Sequence, residues 1–257
     1  MTHMSNVANL LPTFQSRGAF RYYRWRWDSD AILTAPPYLG SRQAAQTTTK
    51  FNGMALFLDT NTTVNKTWHA VLGWESIIPA VGGNSFGMPF YFSMIMNRSN
   101  ELGTSAGENF QGIGWGDWFS VDTPWLTTYA SDFSNNASLH LFYDHPNNLI
   151  KYSIYAQDGN PPVYTATTLQ PPYSTDVHFL ELGLEFNPVG NTLIIWINQK
   201  VSDVITPAQN PRLATMSSAS NGHGPYCFWS NGAGPGRGAS EAGFYDGHIT
   251  YKYPVFT

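Results

Sequence analysis

Apolar positions along this chain come in short bursts, not in helical stripes. No long window carries apolar residues at i, i+3, i+4 and i+7 between capping signals. β-Branched and aromatic residues instead fill short runs punctuated by Gly, Pro, Asn and Asp. The pattern predicts strands over residues 20–27, 54–58, 69–74, 89–96, 110–121, 139–143, 149–155, 178–186, 192–198, 226–229 and 244–253. In 179–186, Leu180, Leu182, Leu184 and Phe186 alternate with Glu181, Gly183 and Glu185, which predicts one packed face and one polar face. Residues 144–148 (DHPNN) and 187–191 (NPVGN) have hairpin-loop chemistry, since Pro presets φ and Asn or Gly accepts left-handed angles. Segments 80–87, 97–109 and 217–243, rich in Gly, Pro, Ser or Asn, read as loops. Many short strands with turns between them predict an all-β sandwich or barrel. We expect a single domain over 20–257, preceded by an N-terminal arm at 1–19.

Composition narrows the class. Charged residues are 12% of the chain and aromatics 15%, whereas a typical domain is about 25% charged. That balance excludes a disordered chain and a coiled coil. A formal net charge of −4 argues against a nucleic-acid partner. No apolar run approaches the ~20 residues of a membrane-spanning helix. Cys227 is the single cysteine, so no intrachain disulfide or cysteine metal cluster can form. The start, MTHMSN, lacks the basic and apolar runs of a signal peptide. Low charge with many aromatics suits an extracellular setting. The expected location is therefore extracellular or a virion surface, reached without a recognisable signal peptide.

The C-terminal third resembles the concanavalin A-like jelly rolls of the laminin-G type. Segment 178–186 (HFLELGLEF) is similar to the family strand that precedes a Gly/Asn turn. Segment 192–200 (TLIIWINQK) is similar to the alternating strand ending in Asn or Asp-Gly-Lys, with Gln199 in place of Gly. Phe228-Trp229-Ser230 and the Gly247-His248-Ile249 strand look like the last two family strands. The resemblance covers 178–253 and implies a two-sheet jelly roll with its terminal strands close together. It predicts that 20–27 pairs with 244–253.

Candidate chemistry follows from this fold. Glycoside hydrolysis needs two carboxylates facing one cleft. Glu181 and Glu185 are the closest pair, but Gly183 stands where glucanases of this fold carry Asp, and solvated carboxylates on a polar strand face are the simpler reading. The Arg and Gln signatures of jelly-roll polysaccharide lyases are missing. His140, His145 and Tyr143 surround one predicted hairpin, whose rim is a poor place for a dry proton transfer. Cys227, between Tyr226 and Phe228, reads as a buried thiol. Residues 59–63 (DTNTT) begin like a calcium loop but lack its Gly and closing Glu; no cofactor is assigned, and calcium at a loop stays open.

The stretch 110–119 (FQGIGWGDWF) is the most unusual. Its alternating glycines let a ligand or another backbone approach closely. Trp115 and Trp118 could stack on sugar rings while Asp117 reads hydroxyls. The simpler reading is that these tryptophans are core. Trp229 and Asn231 form a second candidate ligand-binding rim. Near the N-terminus, Arg21, Arg24 and Arg26 interleave with aromatic residues, a composition that suits docking to a partner protein. The function expected is a non-catalytic glycan-binding attachment module of lectin-like fold, on a virus particle. The alternatives are a purely structural virion protein (decoration, tail or fibre subunit, with homo-oligomer or virion protein partners) and a polysaccharide lyase or glycoside hydrolase.

Overall fold

The computed structural model describes residues 20–25, 40–42, 48–51, 56–59, 66–71, 86–97, 109–116, 137–144, 147–156, 158, 160, 163–170, 179–218, 224–231 and 241–252. The described elements are β1 (Phe20–Trp25), β2 (Gly40–Arg42), β3 (Thr48–Phe51), β4 (Leu56–Asp59), β5 (Lys66–Val71), β6 (Phe90–Asn97), β7 (Asn109–Gly116) and β8 (Ala137–Asp144). They continue with β9 (Leu149–Ala156), β10 (Thr165–Ala166), β11 (Phe179–Asn187), β12 (Thr192–Ile197), β13 (Lys200–Ile205), a 3-10 helix (Pro211–Ser218), β14 (Pro225–Asn231) and β15 (Glu241–Lys252).

These strands form two sheets. The eight-stranded sheet has the order β13-β12-β11-β6-β15-β4-β3, with β1 also on β15. The seven-stranded sheet has the order β10-β9-β8-β7-β14-β5-β2. Neighbours are antiparallel, including the predicted terminal pair, which runs from Phe20 opposite Lys252 to Trp25 opposite Gly247. The two predicted hairpins form as well. Asn148 and Asn191 adopt φ of 56° and 49°, and Gly190 adopts 104°, so each loop turns through the left-handed region its residues tolerate.

Four described strands, β2, β3, β10 and β13, were not predicted. Strand β7 is described to Gly116, and the rest of the predicted 110–121, from Asp117 onward, lies outside the described residues. The predicted 226–229 strand is β14, Pro225–Asn231, and it divides the segment 217–243 read as a loop. Before β13, Asn198 and Gln199, both at positive φ, make a tight turn that starts a new strand at once.

The core lies between the sheets. Leu180, Leu182, Leu184 and Phe186 of β11 face Ile113 and Trp115 of β7 and Leu139 and Leu141 of β8 in one buried cluster. Each such aliphatic side chain contributes about 1.5–3 kcal/mol on burial. Along one side the sheets are tied by polar side chains: Asp203 of β13 accepts the Thr168 amide at 3.0 Å, and Ser202 accepts the Leu169 amide at 2.9 Å.

Candidate functional site

Alternation in β7, β8, β9 and β14 sends every second side chain away from the core, onto the outer face of the seven-stranded sheet. Over much of the described strands that face is buried as well. Phe110, Phe142, Tyr155, Tyr226 and Phe228 form a second buried cluster there, with Tyr164 packed on it. A sheet covered on both faces reads as near-continuous burial, and β8 is buried at each of its positions.

One register row crosses this face. Tyr226 of β14 pairs with Gly114 of β7, Gly114 with His140 of β8, and His140 with Ser153 of β9. The Tyr226 phenol lies over Gly114 and is hydrogen-bonded to Nε2 of His140, whose Nδ1 is 3.2 Å from the Ser153 hydroxyl. Glycine at 114 is what admits the phenol, because a Cβ there would stand 2.3 Å from the Tyr226 ring. Tyr155 packs edge-on to the imidazole, with ring centroids 5.1 Å apart. The next row towards the end of β7 contains Gly116, Ser138 and Tyr155. The Ser138 hydroxyl is buried without a hydrogen-bond partner.

The glycine reading is thus half right. The backbone trough exists, but Tyr226 and Phe142 fill it, the latter against Gly112. Trp115 is not a ligand platform: it is 0% exposed on the inner face, stacked on Phe90 at 3.6 Å with an interplanar angle of 9°. Asp117 and Trp118 lie outside the described residues, one and two positions past Gly116. Trp229 and Asn231 occupy the other end of the β7–β14 pair, opposite Gln111 and Asn109. Gly116 and Gln111 are separated by about 17 Å of strand. Trp229 and Asn231 therefore lie at the far end of the β7–β14 pair from Gly116. Arg21 and Arg24 lie on β1, opposite Tyr251 and His248, and Arg26 lies outside the described residues. Nor is His140 at a hairpin rim; it sits mid-strand, while Tyr143 joins the inner core and His145 lies outside the described residues. Cys227 is buried as expected.

The outer face of the eight-stranded sheet holds the two glutamates. Glu185 is not a solvated carboxylate: it is 1% exposed and accepts the Trp196 indole N–H at 3.0 Å. Glu181 is half-buried and accepts from the Ser93 hydroxyl at 3.2 Å and the Gln199 amide at 3.1 Å. Tyr91 stands near both; burial first, then the charges of Glu181 and Glu185, push its phenol well above its ordinary value. Among the described residues no three His, Cys, Asp or Glu side chains gather as a metal site requires, and 60–63, the body of the calcium-like segment, lies outside them.

No protein-family model and no curated protein matches the sequence. Solved structures do match. Peanut lectin with a 9mer peptide superposes with a TM-score of 0.54 at 12% identity, over 93% of this chain and 100% of that chain. Bacillus licheniformis beta-glucanase gives 0.55 at 10% identity, over 93% and 100%. The CBM2 module of the evolved Dit of Lactobacillus casei BL23 phage J-1 gives 0.54 at 15% identity, over 93% and 100%. Sheet order, terminal strand pairing and these end-to-end superpositions agree: the chain is a concanavalin A-like jelly roll, the fold of lectins and glucanases.

Proposed function

We propose that the chain is a non-catalytic glycan-binding module that serves attachment. The observation that carries this reading is its end-to-end likeness in fold to lectins and to a CBM2 module. The aromatic, low-charge composition supports it. Binding is assigned to the end of β7 where Asp117 and Trp118 follow Gly116, with Trp229 and Asn231 as a separate contact at the far end of β14. Trp115 is withdrawn from this role because its ring is spent on the core.

The module's place is on a virus particle, docked through Arg21, Arg24 and Arg26. The phage Dit likeness favours this second element. A glycan array run with and without calcium tests the first part. A reproducible hit that weakens at least tenfold in Trp118→Ala supports it. Reducing-sugar release from a polysaccharide panel would instead make the chain a lyase or hydrolase. Sedimentation with particles tests the second part, and a chain that stays monomeric and unbound at high concentration would leave it a free lectin.

A further inference from the structure

Among the described residues, one edge of the eight-stranded sheet is β13. The main chain of Lys200–Ile205 is paired to β12 and, among the described residues, bonds to no other main chain. Edge strands are normally blunted by outward charges or kept very short. The seven-stranded sheet keeps to this at its β10 edge, where the strand is Thr165–Ala166. Strand β13 is six residues long, and its central polar side chains are engaged by the segment after β10. Asp203 accepts the Thr168 amide at 3.0 Å, and Ser202 accepts the Leu169 amide at 2.9 Å. Exposed Lys200 stands at the first position, clear of the centre. The rest of what the strand shows to solvent is Val201 and Val204, 46% and 48% exposed.

Residues three apart on a strand ordinarily point to opposite faces. A bulge changes that here: Val201 pairs with Trp196 and Val204 with Ile194, two residues apart on β12. Both valines therefore share the outer face, each beside an apolar neighbour. This makes the strand self-complementary. In an antiparallel pairing about a two-fold axis between Ser202 and Asp203, Val201 stands opposite the partner's Val204, and Val204 opposite the partner's Val201. Ser202 then faces a carboxylate with its hydroxyl. An axis through Asp203 would set two carboxylates opposite each other, and an axis through Ser202 would set each Val201 against an Asp203. Charge and apolar match select one register.

We propose that β13 is the contact between two copies of this chain, an antiparallel two-fold seam that joins their eight-stranded sheets edge to edge. The seam pairs main-chain groups left open at the edge and covers both valines of each copy. Being isologous, it closes at two copies. Six residues a side is a small interface, so the dimer forms at high concentration and dissociates on dilution. The inference stands apart from the glycan-binding reading.

Sedimentation velocity of the intact chain over a dilution series tests the state, and introduced thiols test the register. Cys227 is the single cysteine and is buried, so new thiols report alone. Val201→Cys mixed with Val204→Cys should give a disulfide-linked dimer under oxidised glutathione, and either variant alone about tenfold less. Val201→Lys/Val204→Lys should raise the concentration needed for the dimer about tenfold or more. It should melt with the parent, because both positions are exposed. A parent that sediments as a monomer at every concentration overturns the proposal. A dimer that persists unchanged in the double lysine variant overturns it too, by placing the contact elsewhere. Cross-linking as strong in a single variant as in the mixture overturns the register.

Discussion

The two sheets use their outer faces differently. On the seven-stranded sheet the row Tyr226–Gly114–His140–Ser153 is sealed, and its polar groups are hydroxyls and an imidazole. On the eight-stranded sheet the corresponding centre is Gly183, flanked by Ser93 and Trp196, with a carboxylate two residues away on either side. Both centres place a glycine beneath an aromatic ring. The first is tight, with a hypothetical Cβ at 2.3 Å from Tyr226; the second is loose, with Trp196 Cβ at 3.0 Å and the Tyr91 hydroxyl at 3.2 Å. The lesson is that a glycine in a strand reports close approach without saying whether a neighbour or a ligand makes it.

The largest effect tests the inner face that both sheets share. Trp115→Ala should cost about 3–5 kcal/mol in urea unfolding, because it empties the stack against Phe90. A loss below 1 kcal/mol would mean the ring is not core. Next comes the same substitution on the two outer faces. Gly114→Ala should cost roughly 3 kcal/mol by forcing the Tyr226 phenol off His140, while Gly183→Ala should cost under about 1 kcal/mol. Equal losses would erase the contrast. Trp196→Phe removes the indole donor from buried Glu185 and should cost about 2 kcal/mol. In Trp196→Phe/Glu185→Leu, where the buried carboxylate is gone too, much of that loss should be recovered.

The smallest effect is on the alkaline side. Tyr91 holds its proton more tightly in the fold than in the unfolded chain, where its value is near 10.0. Its share of stability is therefore full below that pH and is lost as pH rises above it. Tyr152 is raised in the same sense, chiefly by burial. Tyr91→Phe should flatten part of the decline in stability above pH 10. An unchanged slope in urea titrations across that range would remove Tyr91 from the account.

Much of the fold was legible because the burial pattern is local. The alternation of leucines in β11 and the Asn-rich turns name a sandwich without any long-range information. The pairing of β1 with β15 was legible through the family likeness of 178–253, not through periodicity. Strand β13 was missed because Val201 and Val204 face outward and only Ile205 of its apolar residues joins the core, so no alternation marks it. The site was read less well. Trp115 stands between glycines of opposite parity, and parity alone does not say which face of a sheet is the core when both are covered. His140 was assigned to a hairpin by nearness in sequence, yet its partners are 13 and 86 residues away. The signal that could have found it is the spacing of Gly112, Gly114 and Gly116, which marks where a cross-strand side chain must pass.

The tie from Thr168 to Asp203 spans 35 residues of chain, whereas the terminal strands join Phe20 to Lys252. Loop closure grows more costly with every added residue, so these two seams cannot form on equal terms. The corner built from β11, β12 and β13 is the short circuit of the molecule, and it already reaches across to the other sheet. It can zip early and present a template, while the seam between the ends of the chain waits for nearly everything else. Pulse-labelled hydrogen exchange during refolding should then find the amides of Leu193–Ile197 protected before those of β1. The reverse order would place the nucleus at the termini.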